Sequence, residues 1–345
     1  MTKKFDVVIG NPPYQEEAQG AGTRDTPIYH RFMDAAYSVG SKVVLITPAR
    51  FLFDAGFTPK AWNEKMLADP HLTVPLYVPS SNQLFPGTDI KGGIAVTYRD
   101  VDRVGEPLGT FTKHPQLNTI LHKVLASGDP SLERVGITSS RSFRYSDALY
   151  EDHPEALALR PDGNAALMST NAFEQFSFLY HSDKPDDERD YVQVLGLIKN
   201  KRLSRWIRSD YITGPESFDR FKVVVTAANG SGQLGEALST PLLGEPGVAV
   251  TQSFITIGSF DTEPEAVACL KYVKSKFART MLGVLKITQH NPAKVWKYVP
   301  AQDFTAGSDI DWTKSGAEID SQLYAKYGLD AEEIAFIEFN VKPME

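Results

Sequence analysis

The hydrophobic pattern of the first hundred residues alternates between short apolar runs and longer amphipathic stretches. Apolar residues recur at helical spacing over residues 26–39, and a second helix is predicted over residues 59–67. The apolar runs have the length and composition of buried strands, at Phe5 to Ile9, Lys42 to Thr47, Val74 to Val78 and Gly93 to Tyr98. Because strands and helices alternate, this part of the chain is predicted to have an α/β fold.

A polar stretch with Gly and Pro over residues 99–109 predicts a domain boundary, so we expect one domain over residues 1–109 and another over residues 110–345. The second domain has a less regular pattern, with a helix near residues 116–126 and strands at 222–226 and 248–257. Ser315 with Glu318, and Asp330 with Glu333, form capping-box patterns that predict two C-terminal helices.

Composition narrows the class of protein. The 345 residues are 42% hydrophobic, enough for a substantial core, and no run of 18 apolar residues is present. With no signal-peptide pattern at the N terminus, we expect a cytoplasmic protein without membrane contact. Cys269 is the single cysteine, which excludes an internal disulfide; it lies in a helix-like apolar run and is predicted to be buried. The seven histidines show no metal-ligand spacing, so no metal site is predicted.

The net charge of −7 argues against a protein that coats nucleic acid through bulk electrostatic attraction. Two segments, residues 194–208 and 271–297, nevertheless contain basic and aromatic residues and no acidic ones. Each is a candidate nucleic-acid face, and a solvated helix face is the alternative interpretation. The residues expected to contact double-stranded DNA are Lys199, Lys201, Arg202, Arg205, Lys274, Lys276, Arg279 and Lys286.

The sequence Asn11-Pro12-Pro13-Tyr14 directly follows the first predicted strand. The exocyclic amino group of a base is a poor nucleophile because its lone pair is delocalised into the ring. The Asn11 side-chain oxygen and the Pro12 carbonyl can each accept a hydrogen bond from such an amino group and favour a pyramidal nitrogen. Proline removes competing backbone donors, and Tyr14 offers a face on which an extruded base can stack. The alternative is an ordinary turn that ends a strand.

A strand followed by Asn-Pro-Pro-Tyr resembles motif IV of the adenine-N6 DNA methyltransferases, especially the fused restriction-modification enzymes of type IIG. Residues 43–52 resemble that family's next strand and loop, and residues 82–96 resemble its motif VIII, in which Phe85 takes the place of the aromatic residue that packs against the flipped adenine. Residues 277–281, 286–289 and 299–304 are similar to the family's target-recognition region. The resemblance implies a partial Rossmann-like methyltransferase half followed by an α+β target-recognition domain.

The resemblance also implies S-adenosyl-L-methionine as the methyl donor, bound at a Gly-rich turn after the first strand of the fold. Only ten residues precede Asn11, so we expect a second protein chain or a missing N-terminal region to carry the cofactor motifs. One alternative stays open, because Gly230-Ser-Gly-Gln-Leu-Gly235 fits G-x-G-x-x-G and could belong to a permuted enzyme. No acidic residue is suitably placed after it, and a glycine loop in the recognition domain is the simpler interpretation. The cofactor-binding residues therefore remain unassigned.

The leading hypothesis is a site-specific adenine-N6 DNA methyltransferase component of a restriction-modification system. Asn11, Pro12, Pro13 and Tyr14 form its predicted catalytic motif, and Tyr14 and Phe85 would stack the flipped base. The main alternative is a non-catalytic DNA-binding specificity subunit of a restriction system. A cytosine-N4 enzyme ranks lower, because such enzymes resemble the adenine enzymes with Ser at the first motif position.

Overall fold

The computed structural model describes residues 4–16, 26–53, 58–90, 92–160, 164–230, 234–236, 238–286 and 289–344. The chain divides into two compact units, Met1–Asn118 and Thr119–Glu345. The boundary expected from the sequence, between residues 109 and 110, lies within the first unit. Within the described ranges, no helix is both long and apolar enough to cross a membrane.

The first unit contains a mixed sheet with the strand order β1-β4-β6-β5. Strands β1 and β4 pair in parallel, whereas β6 runs antiparallel to both β4 and β5. The expected mixture of strands and helices is confirmed. The elements of this unit are β1 (Phe5–Gly10), β2 (Gln15–Glu16), β3 (Thr26–Pro27), α1 (Tyr29–Val39), β4 (Gly40–Pro48), α2 (Lys60–Leu67), β5 (Leu72–Val78) and β6 (Ile94–Asp100).

The core of the first unit lies where α1 and α2 pack against the sheet. In α1 the buried residues recur every four positions, at Tyr29, Met33 and Tyr37, which is the spacing of one helix face. They join an apolar cluster with side chains from α2 and from the strands. The Trp62 indole in α2 also donates a 3.0 Å hydrogen bond to Asp34 of α1, which fixes the two helices to each other.

One strand of this sheet carries an apolar surface that none of the described residues covers. Phe5, Val7 and Ile9 of β1 are 56, 53 and 76% exposed, and we call these three residues the apolar edge. Among the described strands, β1 pairs only with β4, so its outer backbone groups face away from the sheet. Parallel strands are normally covered on both faces, so this exposure is unusual for a strand that has parallel pairing.

The second unit contains two three-stranded sheets and several helices. Helix α3 (Pro115–Ala126) crosses the division between the units. The remaining elements are β7 (Arg144–Tyr145), α4 (Asp147–Asp152), α5 (Ala172–Gln175), β8 (Tyr191–Ile198), β9 (Lys201–Arg208), β10 (Ile212–Thr213), β11 (Phe221–Thr226), β12 (Leu242–Gly244), β13 (Val248–Val250), β14 (Phe254–Phe260), α6 (Glu263–Lys274), α7 (Lys276–Leu282), α8 (Gly316–Lys326) and α9 (Ala331–Asn340).

The two larger sheets have the strand orders β12-β11-β14 and β13-β8-β9. The expected single strand over residues 248–257 is wrong, because β13 belongs to one sheet and β14 to the other. Between them Thr251 donates its backbone N–H to Leu195, and Phe254 donates back to Thr251 at 3.0 Å in a turn. A continuous run of apolar residues does not reveal such a change of sheet, because both strands are buried.

The C-terminal helices follow the capping signals in the sequence. Both capping boxes are confirmed, at the starts of α8 and α9. Cys269 in α6 is completely buried, as predicted, and burial raises the pKa of its thiol. The start of α7 has a further acceptor: the buried Asp320 carboxylate accepts from the backbone N–H groups of Lys276 at 3.1 Å and Phe277 at 3.0 Å.

The Asp320 contact predicts a stability difference between two substitutions. Asp320→Ala leaves two backbone donors without their acceptor and should lower the free energy of unfolding by about 2 kcal/mol or more. Asp320→Asn keeps an acceptor oxygen and should lose less. Denaturant unfolding measures both, with the exposed Asp186→Ala as the control. Equal losses for Ala and Asn would contradict a capping role.

Candidate functional site

A pocket of about 460 Å³ lies at the carboxyl ends of β1 and β4. Because the two strands are parallel, the residues that follow each of them meet at one edge of the sheet. The pocket joins the motif after β1 to the segment after β4, the start of α1 and the loop before β6. Its lining residues are Asn11, Pro12, Pro13, Tyr14, Gln15, Pro27, Tyr29, Pro48, Arg50, Asp89 and Ile90.

Backbone hydrogen bonds fix the Asn-Pro-Pro-Tyr segment to the start of α1. The Tyr14 carbonyl accepts from the N–H groups of Ile28 at 3.0 Å and Tyr29 at 3.4 Å. Helix α1 has no side-chain cap, so this carbonyl satisfies donors that the helix start would otherwise leave free. Pairing of β2 with β3 holds the residues that follow Tyr14. The position of the motif is thus determined by both β1 and α1.

Asn11 and Tyr14 present polar groups at this pocket. Asn11 is exposed, while the Tyr14 side chain is half-buried. Burial raises the pKa of Tyr14, and the neighbouring Asn11 side chain opposes part of that rise, although its contact with the hydroxyl falls short of hydrogen-bond geometry. The phenol is therefore neutral at physiological pH and keeps its proton as a donor. Within the described chain, the buried Tyr14 hydroxyl has no hydrogen-bond partner.

Among the lining residues that were not selected from the sequence, three are charged or aromatic. Arg50 and Asp89 bring opposite charges to the pocket wall, and Tyr29 lines it from the start of α1. Burial raises the pKa of Tyr29 to about 12, so this phenol also stays protonated. A signal for Arg50 was present, because it comes just after a predicted buried strand, and ligands bind outside the carboxyl ends of such strands. Tyr29 carried no such signal, because it was not part of the predicted apolar face of the helix.

Phe85 lies in the segment that contributes Asp89 and Ile90, but it is not one of the residues that line the pocket. Its side chain is half-buried, and its backbone N–H donates to the Ser81 carbonyl at 2.8 Å. All four residues of the motif therefore line the pocket, whereas Phe85 is not among the lining residues. Its stacking role stays a prediction.

Four of the expected DNA contacts lie on the hairpin of β8 and β9, which we call the basic hairpin: Lys199, Lys201, Arg202 and Arg205. Its turn residues Lys199 and Asn200 both have positive φ, 48° and 62°, as a two-residue hairpin turn with the twist of the strands requires. Lys199 and Lys201 are exposed, and Arg205 is half-buried. Arg202 donates to the Ser239 and Thr240 carbonyls, so its charge is partly used within the protein.

Two of the four DNA contacts predicted in the second basic segment are buried, which corrects the interpretation of Arg279 and Lys286. Arg279 is 2% exposed and donates to backbone carbonyls, among them that of Lys274 at 3.0 Å. Lys286 is 5% exposed and donates to the Asn229 carbonyl at 3.0 Å. Lys276 pairs with Glu338, and Lys274 is half-buried. Arg279 and Lys286 hold the interior of the second unit together, and we exclude them from the candidate DNA surface.

The described residues do not provide a cradle for S-adenosyl-L-methionine. Strand β1 leads into Asn-Pro-Pro-Tyr instead of a glycine-rich turn and helix. The G-x-G-x-x-G candidate follows β11, but β11 is antiparallel to both of its neighbours, and the next described element is β12, a strand. The fingerprint requires a strand, turn and helix. Residues 231–233 of that candidate lie outside the described residues.

Residues 1–85 match the family model of the Eco57I restriction-modification methylases. This match confirms the resemblance inferred from the Asn-Pro-Pro-Tyr motif for that segment. It includes β1, β4 and nearly all of the residues that line the pocket. No curated protein sequence matches the chain.

Two solved structures are weakly similar to the chain. The type IIG restriction endonuclease BpuSI has 10% sequence identity and a TM-score of 0.32, over 92% of this chain and 48% of its own. The type IIL restriction-modification enzyme MmeI, solved in complex with DNA, has 11% identity and a TM-score of 0.30, over 97% of this chain and 56% of its own. The chain thus spans about half the length of these proteins. Similarity at this level defines neither the fold nor the function.

Gly93 fixes the loop that brings Asp89 and Ile90 to the pocket. Its carbonyl accepts from the Ala49 N–H at 3.0 Å, and its own N–H donates to the Ile90 carbonyl at 3.0 Å. Its φ is +80°, and a Cβ at this position would overlap the Val78 carbonyl oxygen. Gly87 in the same loop also has a positive φ, +84°, but a Cβ there would meet nothing within 4 Å.

These two glycines predict different losses of stability. Gly87→Ala should lower the free energy of unfolding by about 1 kcal/mol, because only its backbone conformation is unfavourable. Gly93→Ala should lower it by about 3 kcal/mol, because a backbone clash adds to the same strain. Thermal unfolding of the two variants tests the difference. Similar losses at the two positions would show that the loop is not held at Gly93.

Proposed function

We propose that this chain supplies the acceptor-base side of a site-specific adenine-N6 DNA methyltransferase of a restriction-modification system. The observation that carries the proposal is the Asn11 to Tyr14 motif, which lines a pocket at the carboxyl edge of the sheet. It does so within the segment that matches restriction-modification methylases. A pocket of about 460 Å³ has the size of sites that take small heterocyclic molecules.

Each residue of the motif has a role in this proposal. The Asn11 side-chain oxygen and the Pro12 carbonyl accept hydrogen bonds from the adenine amino group and localise its lone pair. Pro13 contributes no backbone donor that would compete for the same space. Tyr14 stacks the extruded base, and its neutral hydroxyl remains available as a donor. Phe85 would complete the stack if the loop that carries it approaches the base.

S-adenosyl-L-methionine is the methyl donor in this proposal, and a further α/β unit, on a second protein chain or elsewhere in a longer protein, would hold it. The apolar edge supports this view. Another parallel strand beside β1 would satisfy the outer backbone groups of that strand, and helices flanking it would cover Phe5, Val7 and Ile9. The carboxyl end of such a strand would lie beside Asn11, which is where a bound ligand must be to meet the base.

The basic hairpin is the proposed DNA contact of the second unit. Lys199 and Lys201 are exposed on either side of Asn200, and the turn presents both charges at one tip. A two-stranded ribbon has the width to enter a DNA groove or follow a phosphate backbone. Because the net charge of the chain is −7, its overall charge does not attract DNA. A local cluster of positive charges is therefore needed for contact with the phosphates.

One observation favours a second candidate function, a DNA-binding specificity subunit without transfer activity. Among the described residues, no strand is followed by the glycine-rich turn and helix that bind the methyl donor. The two candidate functions differ in whether Asn11 acts on a base, which methyl incorporation measures.

Asn11→Ala should reduce methyl transfer by about 100-fold or more, because the acceptor that polarises the amino group is lost. The assay is incorporation of labelled methyl groups into duplex DNA by a restriction-modification complex that contains this chain, with the methylated base identified by mass spectrometry. Fluorescence anisotropy should show nearly unchanged DNA binding. The exposed Asn164→Ala variant is the matched control. Formation of N6-methyladenine by Asn11→Ala at the control rate would refute the proposed role of the motif.

Replacing both Lys199 and Lys201 by Ala should weaken DNA binding for all sequences. It should also reduce the slope of log K against log salt by about 0.9 for each lost phosphate contact. Anisotropy titrations over a range of salt concentrations measure the slope, with the exposed Lys314→Ala as the control. An unchanged slope would exclude the basic hairpin from the DNA interface.

A further inference from the structure

The second unit contains a pocket of about 740 Å³ that the proposed methyl transfer does not use. It lies between the end of α4, the segment after α5, the loop over residues 182–190 and the ends of β8 and β9. Its lining combines aromatic rings with charged groups of both signs. The pocket in the first unit has fewer charged lining residues, Arg50 and Asp89.

Aromatic and imidazole rings form one part of the lining. The His153 ring stands edge-on to Phe178 at 5.5 Å and to Tyr211 at 5.8 Å between ring centroids. His181 and Tyr191 form a similar pair at 6.1 Å. Phe178 is 45% exposed, so part of its ring can contact a ligand. Exposed rings of this kind can stack against the flat face of a bound heterocycle.

The cations at the pocket differ in how far the protein already balances their charge. The Arg208 guanidinium pairs with Asp152 and Asp210 and stacks on Tyr211, 4.2 Å from the ring centroid. Its charge is therefore satisfied internally. Lys184 and Arg189 are exposed, and neither forms a salt bridge with any described residue. Lys184 lies over the Trp206 ring, 5.8 Å from its centroid, and Arg189 interacts electrostatically with Asp187. Because no carboxylate of the described residues holds either cation at salt-bridge distance, both can turn toward the phosphate of a ligand.

The two carboxylates at the pocket also differ. Asp187 accepts from the Tyr191 hydroxyl at 3.0 Å and from the Arg189 backbone N–H at 3.0 Å, and these contacts, the backbone one most strongly, lower its pKa. This links Arg189 to Tyr191 and fixes the loop. Asp183 lines the same pocket, and no described group donates to its carboxylate. It can therefore accept from an amino or ring N–H group of a ligand.

We propose that this pocket binds a nucleotide. The base would stack on the exposed ring of Phe178 and present its N–H groups to Asp183, while Lys184 and Arg189 would hold the phosphate. The same chemistry can come from a free mononucleotide or from a nucleotide of a nucleic-acid strand that has left its stack. The proposal does not depend on methyl transfer in the first unit.

The test is calorimetric titration of the full chain with the four deoxynucleoside 5′-monophosphates. At least one should bind, and the matching nucleoside and inorganic phosphate should each bind about tenfold more weakly or not at all, because each retains only half of the contacts. Arg189→Ala should weaken monophosphate binding about tenfold, through loss of a charge-assisted hydrogen bond. Phe178→Leu should weaken binding of the nucleoside as well as the monophosphate. The exposed Arg141→Ala is the matched control.

A competing single-stranded trinucleotide distinguishes the two sources of the ligand. If it displaces the monophosphate and binds more tightly, the pocket takes a nucleotide of a strand; if it does not compete, the ligand is a free nucleotide. Asn11→Ala should bind the monophosphate as the wild type does, which separates this site from the proposed methyl-acceptor site. The proposal is overturned if no monophosphate binds, if inorganic phosphate binds equally well, or if Arg189→Ala binds like Arg141→Ala.

Discussion

The parallel pairing of β1 with β4 is the constraint on which the site in the first unit depends. β1 ends at Gly10, opposite Leu45, and β4 continues in the same direction to Pro48, so the two strands end at the same edge of the sheet. Everything that follows Gly10 is then delivered beside the residues that follow β4, Arg50 among them. An antiparallel arrangement of the same two strands would send Asn11 and Arg50 to opposite edges. The chemistry attributed to the Asn-Pro-Pro-Tyr motif thus needs a particular strand direction as much as particular side chains.

Much of the first unit could be predicted from the sequence, because local signals and burial agree there. Strands β1 and β4 extend at most two residues beyond their predicted ends, and α1 lies within the predicted helical range. Its buried face is Tyr29, Met33 and Tyr37, however, whereas Phe32 of the predicted apolar face is 42% exposed. The sequence also identified the four-residue motif that lines the pocket. It did not identify Arg50 or Asp89 as lining residues, because the lining depends on which loops reach the same edge, and that follows from sheet order rather than from any local pattern.

In the second unit, local patterns were less informative. A run of basic residues without acids was interpreted as a surface, yet Arg279 and Lys286 are buried and donate to backbone carbonyls. Such carbonyls leave no trace in the sequence, and Glu236, which pairs with Lys286 at 3.4 Å, lies outside the segment. The β8–β9 hairpin was missed for a related reason. Its turn is Lys199-Asn200 instead of the usual Asn-Gly. Because lysine seldom adopts a positive φ, the sequence does not indicate a turn at this position. Capping boxes, by contrast, are local sequence patterns, and the starts of α8 and α9 were predicted correctly from them.

The exposed side chains of β1 have a consequence for the life of the protein in a cell. If a partner binds the folded chain through this strand and not the unfolded chain, its concentration sets how much of the chain is folded, by mass action. A chain made in excess of its partner would show Phe5, Val7 and Ile9 to the solvent and be open to self-association and proteolysis. Proteolysis of the excess chain would then keep its amount close to that of the partner, without a separate regulatory protein.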